Sequence, residues 1–328
     1  MKIQIRSLTL RRCALWALPL LGCGGSEAPA DQAPADQAPA STDPGDVEAL
    51  TPACPEAAVF EPGVFSLPDQ HEYRVAFTPD GQTAFFARST EFFPESREAT
   101  LYMSELEDGV WSTPVVAPFS GVYPDLDPFV SSDGERVYFS SIRPVAGQER
   151  TDVDVWVVER SGDGFGEPEN LGPAVNSEND ELFPSVTDAG DIYFGSDRAG
   201  GAGAFDVWRT RLSVGASEPE NLGPSINTEG LEFNPWVSPD GHVLLFTGLN
   251  RAGGYGAGDL YASIDLGAGF GGGVNLGPCV NTSADEYHAA PRVDRWQLFF
   301  VRLHFDPVWI PGDLYVVDLH RLGLTLVE

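Results

Sequence analysis

One phrase returns five times along these 328 residues: FTPDGQTAFFAR (77–88), VSSDGERVYFSS (130–141), VTDAGDIYFGS (186–196), VSPDGHVLLFTG (237–248) and RVDRWQLFFVR (292–302). Aligned on Gly81, Gly134, Gly190, Gly241 and Arg295, the copies are spaced by 51 to 56 residues. Each unit reads as four strands. An inner strand precedes the turn, a hydrophobic strand such as DIYF follows it, then a loop, DVW or DLY, and a closing strand. The closing strands end in NLGPAVNS (170–177), NLGPSINT (221–228) and NLGPCVNT (275–282). Units of this size with four short strands mark a β-propeller. Nowhere does a long, capped 3.6-residue period appear, so the expected class is all-β with five blades.

The two ends complete each other. The last unit stops after three strands without an NLGP phrase, while VFEPGVFSLPDQHEY (59–73) aligns with NLGPAVNSENDEL ahead of the first unit. An N-terminal strand is therefore expected to supply the fourth strand of the last blade. That closes the ring and leaves no long open edge.

Ahead of the propeller (54–328), residues 1–22 combine a basic segment, MKIQIRSLTLRR, with the short apolar run CALWALPLLG. The run is too short to span a bilayer and reads as a secretion signal, with Arg11 and Arg12 leaving the twin-arginine route open beside the general one. Residues 24–53, with their APADQ repeat, hold almost nothing large and apolar and read as a disordered tether with a reach of roughly 30 Å. The formal charge is −30, and it becomes −34 once Lys2, Arg6, Arg11 and Arg12 leave with the signal. Such a chain repels nucleic acid and anionic lipid, and suits cations or basic protein surfaces. Cys54 and Cys279 remain after Cys23; an exported chain permits a disulfide between them, and spacing alone does not decide it.

Three polar positions recur. An acid opens each inner strand (Glu72, Asp125, Glu181, Glu232, Glu286), and an arginine ends each second strand (Arg88, Arg143, Arg198, Arg251, Arg302). An aspartate opens the third strand in four units (Asp154, Asp206, Asp259, Asp313), with Thr100 in the first. All three positions lie at one face of a propeller. An arginine fork can hold two carboxylates, so an acid–Arg–Asp cluster is expected to tie each blade's loops. The glycine-rich stretch SDRAGGAGAFDVW (196–208) has a near-copy in NRAGGYGAGDLY (250–261) and precedes a strand, not a helix. It therefore reads as a structural turn and not as a phosphate cradle.

The five acids also raise calcium as a ligand of the channel mouth, with Asp127, Glu178 and Asp180 nearby, although no EF-hand spacing is present. His71, His288 and His304 with two cysteines show no zinc spacing. No nucleophile-elbow motif occurs. The second-to-third-strand loops of the first and fifth units depart from the repeat, as STEFFPESREAT and LHFDPVWIPG. Ring closure makes these units neighbours, so Phe92, Phe93, Phe305, Trp309 and Ile310, with His304 beside them, form a candidate aromatic patch for a partner or a sugar ring.

SPDG, SDRAGGAGAFDVW and NLGPSINT resemble the WD40-like repeats of the TolB type, over roughly residues 59–328 and most clearly in the third and fourth units. TolB itself has six blades and a further N-terminal domain, so the likeness implies a repeat group and not an equivalent protein. It implies a platform for protein or peptide binding. LLGC resembles the lipobox of bacterial lipoproteins, which makes Cys23 the lipid-modified residue. Gly24 in place of the aspartate of inner-membrane retention then favours the outer membrane of the cell envelope. The expected protein is non-catalytic and reaches the membrane only through its lipid. The rival expectation is a carbohydrate-binding or glycoside-hydrolase-like five-bladed propeller, an architecture furanosidases share, using inner-strand carboxylates.

Overall fold

Short runs of alternating aromatic and β-branched residues, each stopped by Gly, Pro or Asp, leave the chain little choice but narrow antiparallel sheets. The computed structural model describes residues 54, 56–162, 164–212, 217–265, 267–305 and 309–319. The signal, Cys23 and the tether lie outside the described residues. Blade 1 holds β2 (His71–Phe77), β3 (Thr83–Ser89) and β4 (Thr100–Glu107), whose outer edge pairs with β5 (Val110–Trp111) and β6 (Val115–Val116). Blade 2 repeats this with β7 (Asp125–Val130), β8 (Arg136–Ser141), β9 (Asp154–Ser161), β10 (Gly164–Phe165) and β11 (Glu169–Asn170). Blade 3 is β12 (Glu181–Val186), β13 (Asp191–Ser196), β14 (Asp206–Arg211) and β15 (Glu220–Asn221). Blade 4 is β16 (Leu231–Val237), β17 (Val243–Leu249), β18 (Gly258–Ile264) and β19 (Val274–Asn275). Blade 5 has β20 (Asp285–Arg292), β21 (Gln297–Phe305) and β22 (Trp309–Asp318), completed by β1 (Ala58–Val59) from the N-terminal side. The protein is a five-bladed β-propeller.

The turn chemistry explains the repeat. Asp80 accepts the Thr78 hydroxyl at 2.6 Å and the Gln82 amide at 3.0 Å, while Gly81 takes a φ of +66°. Such a backbone favours glycine. The fifth turn lacks glycine and uses a 3-10 turn over Val293–Arg295, with Trp296, one residue past the aligned Arg295, left-handed at +53°.

Apolar side chains pack between blades. Phe129, Tyr138 and Val155 of blade 2 meet Val186, Ile192 and Phe194 of blade 3, and the blade 5–blade 1 layer joins Phe299, Val301 and Leu303 to Val75 and Phe86. Each blade therefore stabilises its neighbour and the ring must close to bury its last faces.

Closure is as expected: Ala58 pairs with Val316 and Val59 with Tyr315, and the Phe60 amide donates to the Leu314 carbonyl at 2.7 Å. The Phe60 ring then packs 4.9 Å from that of Phe299. A two-residue pairing is a weak latch, and a disulfide reinforces it. Cys54 bonds Cys279, 225 residues away, with the Cα atoms 4.9 Å apart, tying the closing strand to the blade 4–blade 5 connection. By the loop-entropy estimate so long a crosslink stabilises by up to about 5 kcal/mol. Cys279→Ser should lower the unfolding midpoint, and reductant should bring wild type to the same value. An unchanged midpoint in both would show that the strand holds without it.

Candidate functional site

The inner-strand acids are sealed. Glu72, Asp125, Glu181, Glu232 and Glu286 are each at most 1% exposed. Each faces the arginine of its own blade: Arg88 at 3.2 Å, Arg143 at 2.9 Å, Arg198 at 2.9 Å, Arg251 at 3.7 Å and Arg302 at 2.8 Å. Each guanidinium also donates to a main-chain carbonyl of the connection entering the blade. The acceptors are Phe65 at 2.9 Å, Phe119 at 2.6 Å, Val175, Ile226 at 3.1 Å and Val280 at 3.0 Å. Two rings of the same blade flank the cation, as Phe194 and Trp208 flank Arg198 at 4.9 and 5.5 Å. A buried ion pair persists only with such additional partners.

The NLGP phrases complete the clamp. Glu181 accepts the Ser177 amide and hydroxyl at 2.6 and 2.7 Å, and Thr228 and Thr282 serve Glu232 and Glu286 in the same way. The third-strand aspartates do not join the arginines as expected. Asp154, Asp206 and Asp259 instead accept the side-chain amides of Asn170, Asn221 and Asn275 at 2.9, 2.8 and 2.9 Å. Burial raises the Asp313 pKa, against the pull of the His304 charge. The arginine fork is already filled by one carboxylate and one carbonyl, which leaves no room for a second acid.

The glycine loops serve the same aspartates. Asp206 accepts the Ala202 and Gly203 amides, and Asp259 accepts those of Tyr255 and Gly256 at 2.7 and 3.0 Å. These loop amides are already given to a protein carboxylate. A Cβ on Gly203 would stand 2.0 Å from the Gly230 carbonyl oxygen, and one on Gly256 1.9 Å from that of Ala284. Close approach to the next blade requires glycine at both.

Blade 1 has the least satisfied clamp. Among the described residues Glu72 accepts only from the Leu67 amide and Arg88, both at 3.2 Å, and its Oε2 has no hydrogen-bond partner. Burial therefore pushes its pKa up to about 8, against the pull of Arg88. Burial also raises Asp125, Glu181, Glu232 and Glu286.

The axis of the ring carries no repeat. Two residues after each acid stand Arg74, Asp127, Phe183, Asn234 and His288, each at a β-bulge of its first strand. The last four have φ between +53° and +62°. Contacts join blades that are not neighbours, which places them at the axis. Asp127 of blade 2 lies 3.5 Å from His288 Nδ1 of blade 5, and Arg74 of blade 1 donates to the Pro184 carbonyl of blade 3 at 2.9 Å. The Asn234 amide meets His288 Nδ1 at 2.6 Å. Burial, seconded by the Arg74 charge, lowers His288 to about 3, while burial raises Asp127 to about 7. Among the described residues the only axial carboxylate is Asp127. Five different residue types at one register position give no repeat signal, and only their fixed offset from the acid could have found them.

The aromatic sector divides. Phe305 and Ile310 are each 46% exposed and His304 is exposed on the blade 5 hairpin, where His304 pairs with Ile310 and Phe305 with Trp309. The Trp309 side chain lies outside the described residues. Phe92 is half-buried, 5.6 Å from His71, and Phe93 is only 4% exposed beneath the one-turn helix Phe93–Ser96, so Phe93 leaves the patch. Asp180 is taken by Arg97 and the Val153 amide, and Glu178 is exposed. Among the described residues no group of three or more His, Cys, Asp or Glu is placed to hold a metal. No helix among them is long and apolar enough to cross a membrane.

Because Glu72 keeps its proton longer folded than unfolded, its contribution is present below its ordinary pKa of 4.5 and is lost as pH rises through about 8. Across that window wild type should lose stability, on the order of a few kcal/mol, that Glu72→Gln keeps. Parallel stability–pH curves for the two proteins would contradict this.

No protein-family model matches the chain, and no curated protein matches it. Among solved structures it is similar to a glycoside hydrolase at 10% identity, over 84% of this chain and 94% of that one, with a TM-score of 0.51. It is also similar to GH43_12, retrieved from a capybara gut metagenome, at 14% identity over 84% and 55%, with a TM-score of 0.50. TolB from Acinetobacter baumannii matches at 15% identity over 75% and 54%, with a TM-score of 0.43. The chain thus spans little more than half of the latter two. At these identities the likeness shows the propeller fold alone.

Proposed function

We propose that this is a non-catalytic, lipid-anchored protein of the bacterial cell envelope whose propeller is a platform for a protein or peptide partner. The observation that carries this reading is the state of the carboxylates. Glycoside hydrolysis takes two carboxylates roughly 5–9.5 Å apart across an accessible bond. Here each inner-strand acid faces its own arginine behind a sealed surface, and among the described residues Asp127 is the sole carboxylate at the axis. The TolB-type phrases, the lipobox at Cys23 and the acidic surface support a tethered binder in the envelope, with the outer membrane favoured by Gly24. The exposed Phe305 and Ile310 on the blade 5 hairpin supply an apolar contact surface. In this reading the five acids serve arginines and not calcium.

The test is capture from solubilised envelope with residues 24–328, beside a folded double variant, Phe305→Ser with Ile310→Ser. A protein held by wild type and lost by the variant is the expected outcome. Capture of glycan alone, or turnover of any aryl glycoside, would transfer the protein to the rival carbohydrate reading. Calcium and EDTA should leave the unfolding midpoint unchanged. A rise with calcium would assign the acids to the metal.

A further inference from the structure

Four large apolar residues are exposed together at the junction of blades 1 and 2. Val122 is 81% exposed, Val115 58%, and Val116 and Tyr123 are exposed beside them. Val116 adjoins the turn that carries Val122 and Tyr123, its Cγ1 lying 3.0 Å from where a Cβ on Gly121 would stand. Next to it a depression of about 310 Å³ is lined by Phe119, Tyr123, Phe165, Pro118 and Pro168, together with Arg143. That arginine brings no free positive charge, since Asp125 binds it through both oxygens at 2.9 Å. Gly166 and Glu167 are shared with a second depression of about 150 Å³, lined by Glu159, Glu169 and Arg136. Arg136 is drawn to Glu159 at 3.8 Å, and Glu167 and Glu169 are exposed with no ion pair among the described residues.

An aromatic and proline-lined hollow thus opens into an acidic trough. We infer that this junction binds a short peptide segment in which an apolar side chain is flanked by lysine or arginine. The apolar side chain would fill the hollow against Tyr123 and Phe165, and the cations would lie along Glu167 and Glu169. A neutral sugar gains nothing from the trough, whereas a basic segment does, and Lys2 is the only lysine this strongly acidic chain carries. The inference rests on the peptide-binding reading above but uses a surface separate from the blade 5 hairpin.

The probes are the acetylated pentapeptides Lys-Lys-Phe-Lys-Lys, Lys-Lys-Gly-Lys-Lys and Glu-Glu-Phe-Glu-Glu, titrated calorimetrically into residues 24–328 at fixed salt. The first should bind at least about tenfold tighter than either other peptide. Tyr123→Ala should weaken it by about tenfold, and Glu167→Gln with Glu169→Gln should weaken it and flatten its salt dependence. These side chains lie at the surface, so the variants should keep the wild-type circular dichroism spectrum, and Phe165→Ser is the substitute if Tyr123→Ala does not. The hairpin double variant should bind as wild type does, which separates failure here from failure of the platform reading. Equal binding of the phenylalanine and glycine peptides, indifference to Tyr123→Ala, or binding of cellotetraose at this junction in their place would overturn the inference.

Discussion

A carboxylate taken out of water must find enough donors to replace its hydration, or it will take up a proton or pull the structure open. This propeller answers that demand with one device in every blade, least fully at Glu72. The guanidinium bridges a strand-one acid to the incoming connection while two rings cover its faces, as in blade 5, where Arg302 lies between Phe300 and Tyr315. The bridge joins the end of one blade to the start of the next. The apolar layers between blades supply area; the clamps fix how each connection enters. Glu72 shows the converse, because the connection from the closing strand offers it no hydroxyl and its proton affinity rises.

Much of this was legible in the sequence, for a physical reason. Devices needed in every blade recur along the chain, the acid and the arginine in all five units, Asn-Leu-Gly-Pro and the Asp-Gly turn in three each, and so stand out. The closing strand was legible because the last unit lacks what the first segment supplies. The partner of the third-strand aspartates was misread, since spacing says which residues share a face and not which of two acceptors fills an arginine fork. Phe93 was misread because a proline after it starts a helical turn that buries the ring. The disulfide was left open by spacing, since it needs two Cα atoms brought within bonding distance across 225 residues. The axial ring was invisible, because there the blades must differ: five identical side chains could not meet at one point.

That contrast orders the molecule. Positions of one chemical type in every blade hold the ring, and positions that differ in type between blades are where one blade can be told from another. The axial set of Arg74, Asp127, Phe183, Asn234 and His288, the blade 5 hairpin and the blade 1–blade 2 junction all belong to the second kind. Recognition belongs there. The acids that most resemble catalytic groups by type belong to the first.

In every blade the inner-strand acid serves its arginine. A double-mutant cycle on Glu181→Met and Arg198→Met, followed by denaturant unfolding, measures that directly. If the pair is a structural unit, each single change strands a buried charge and costs about 3–5 kcal/mol, while the double variant recovers at least about 2 kcal/mol of the summed loss. Additive losses would mean that the acid and the arginine act independently, and the carboxylates would again be free for another role.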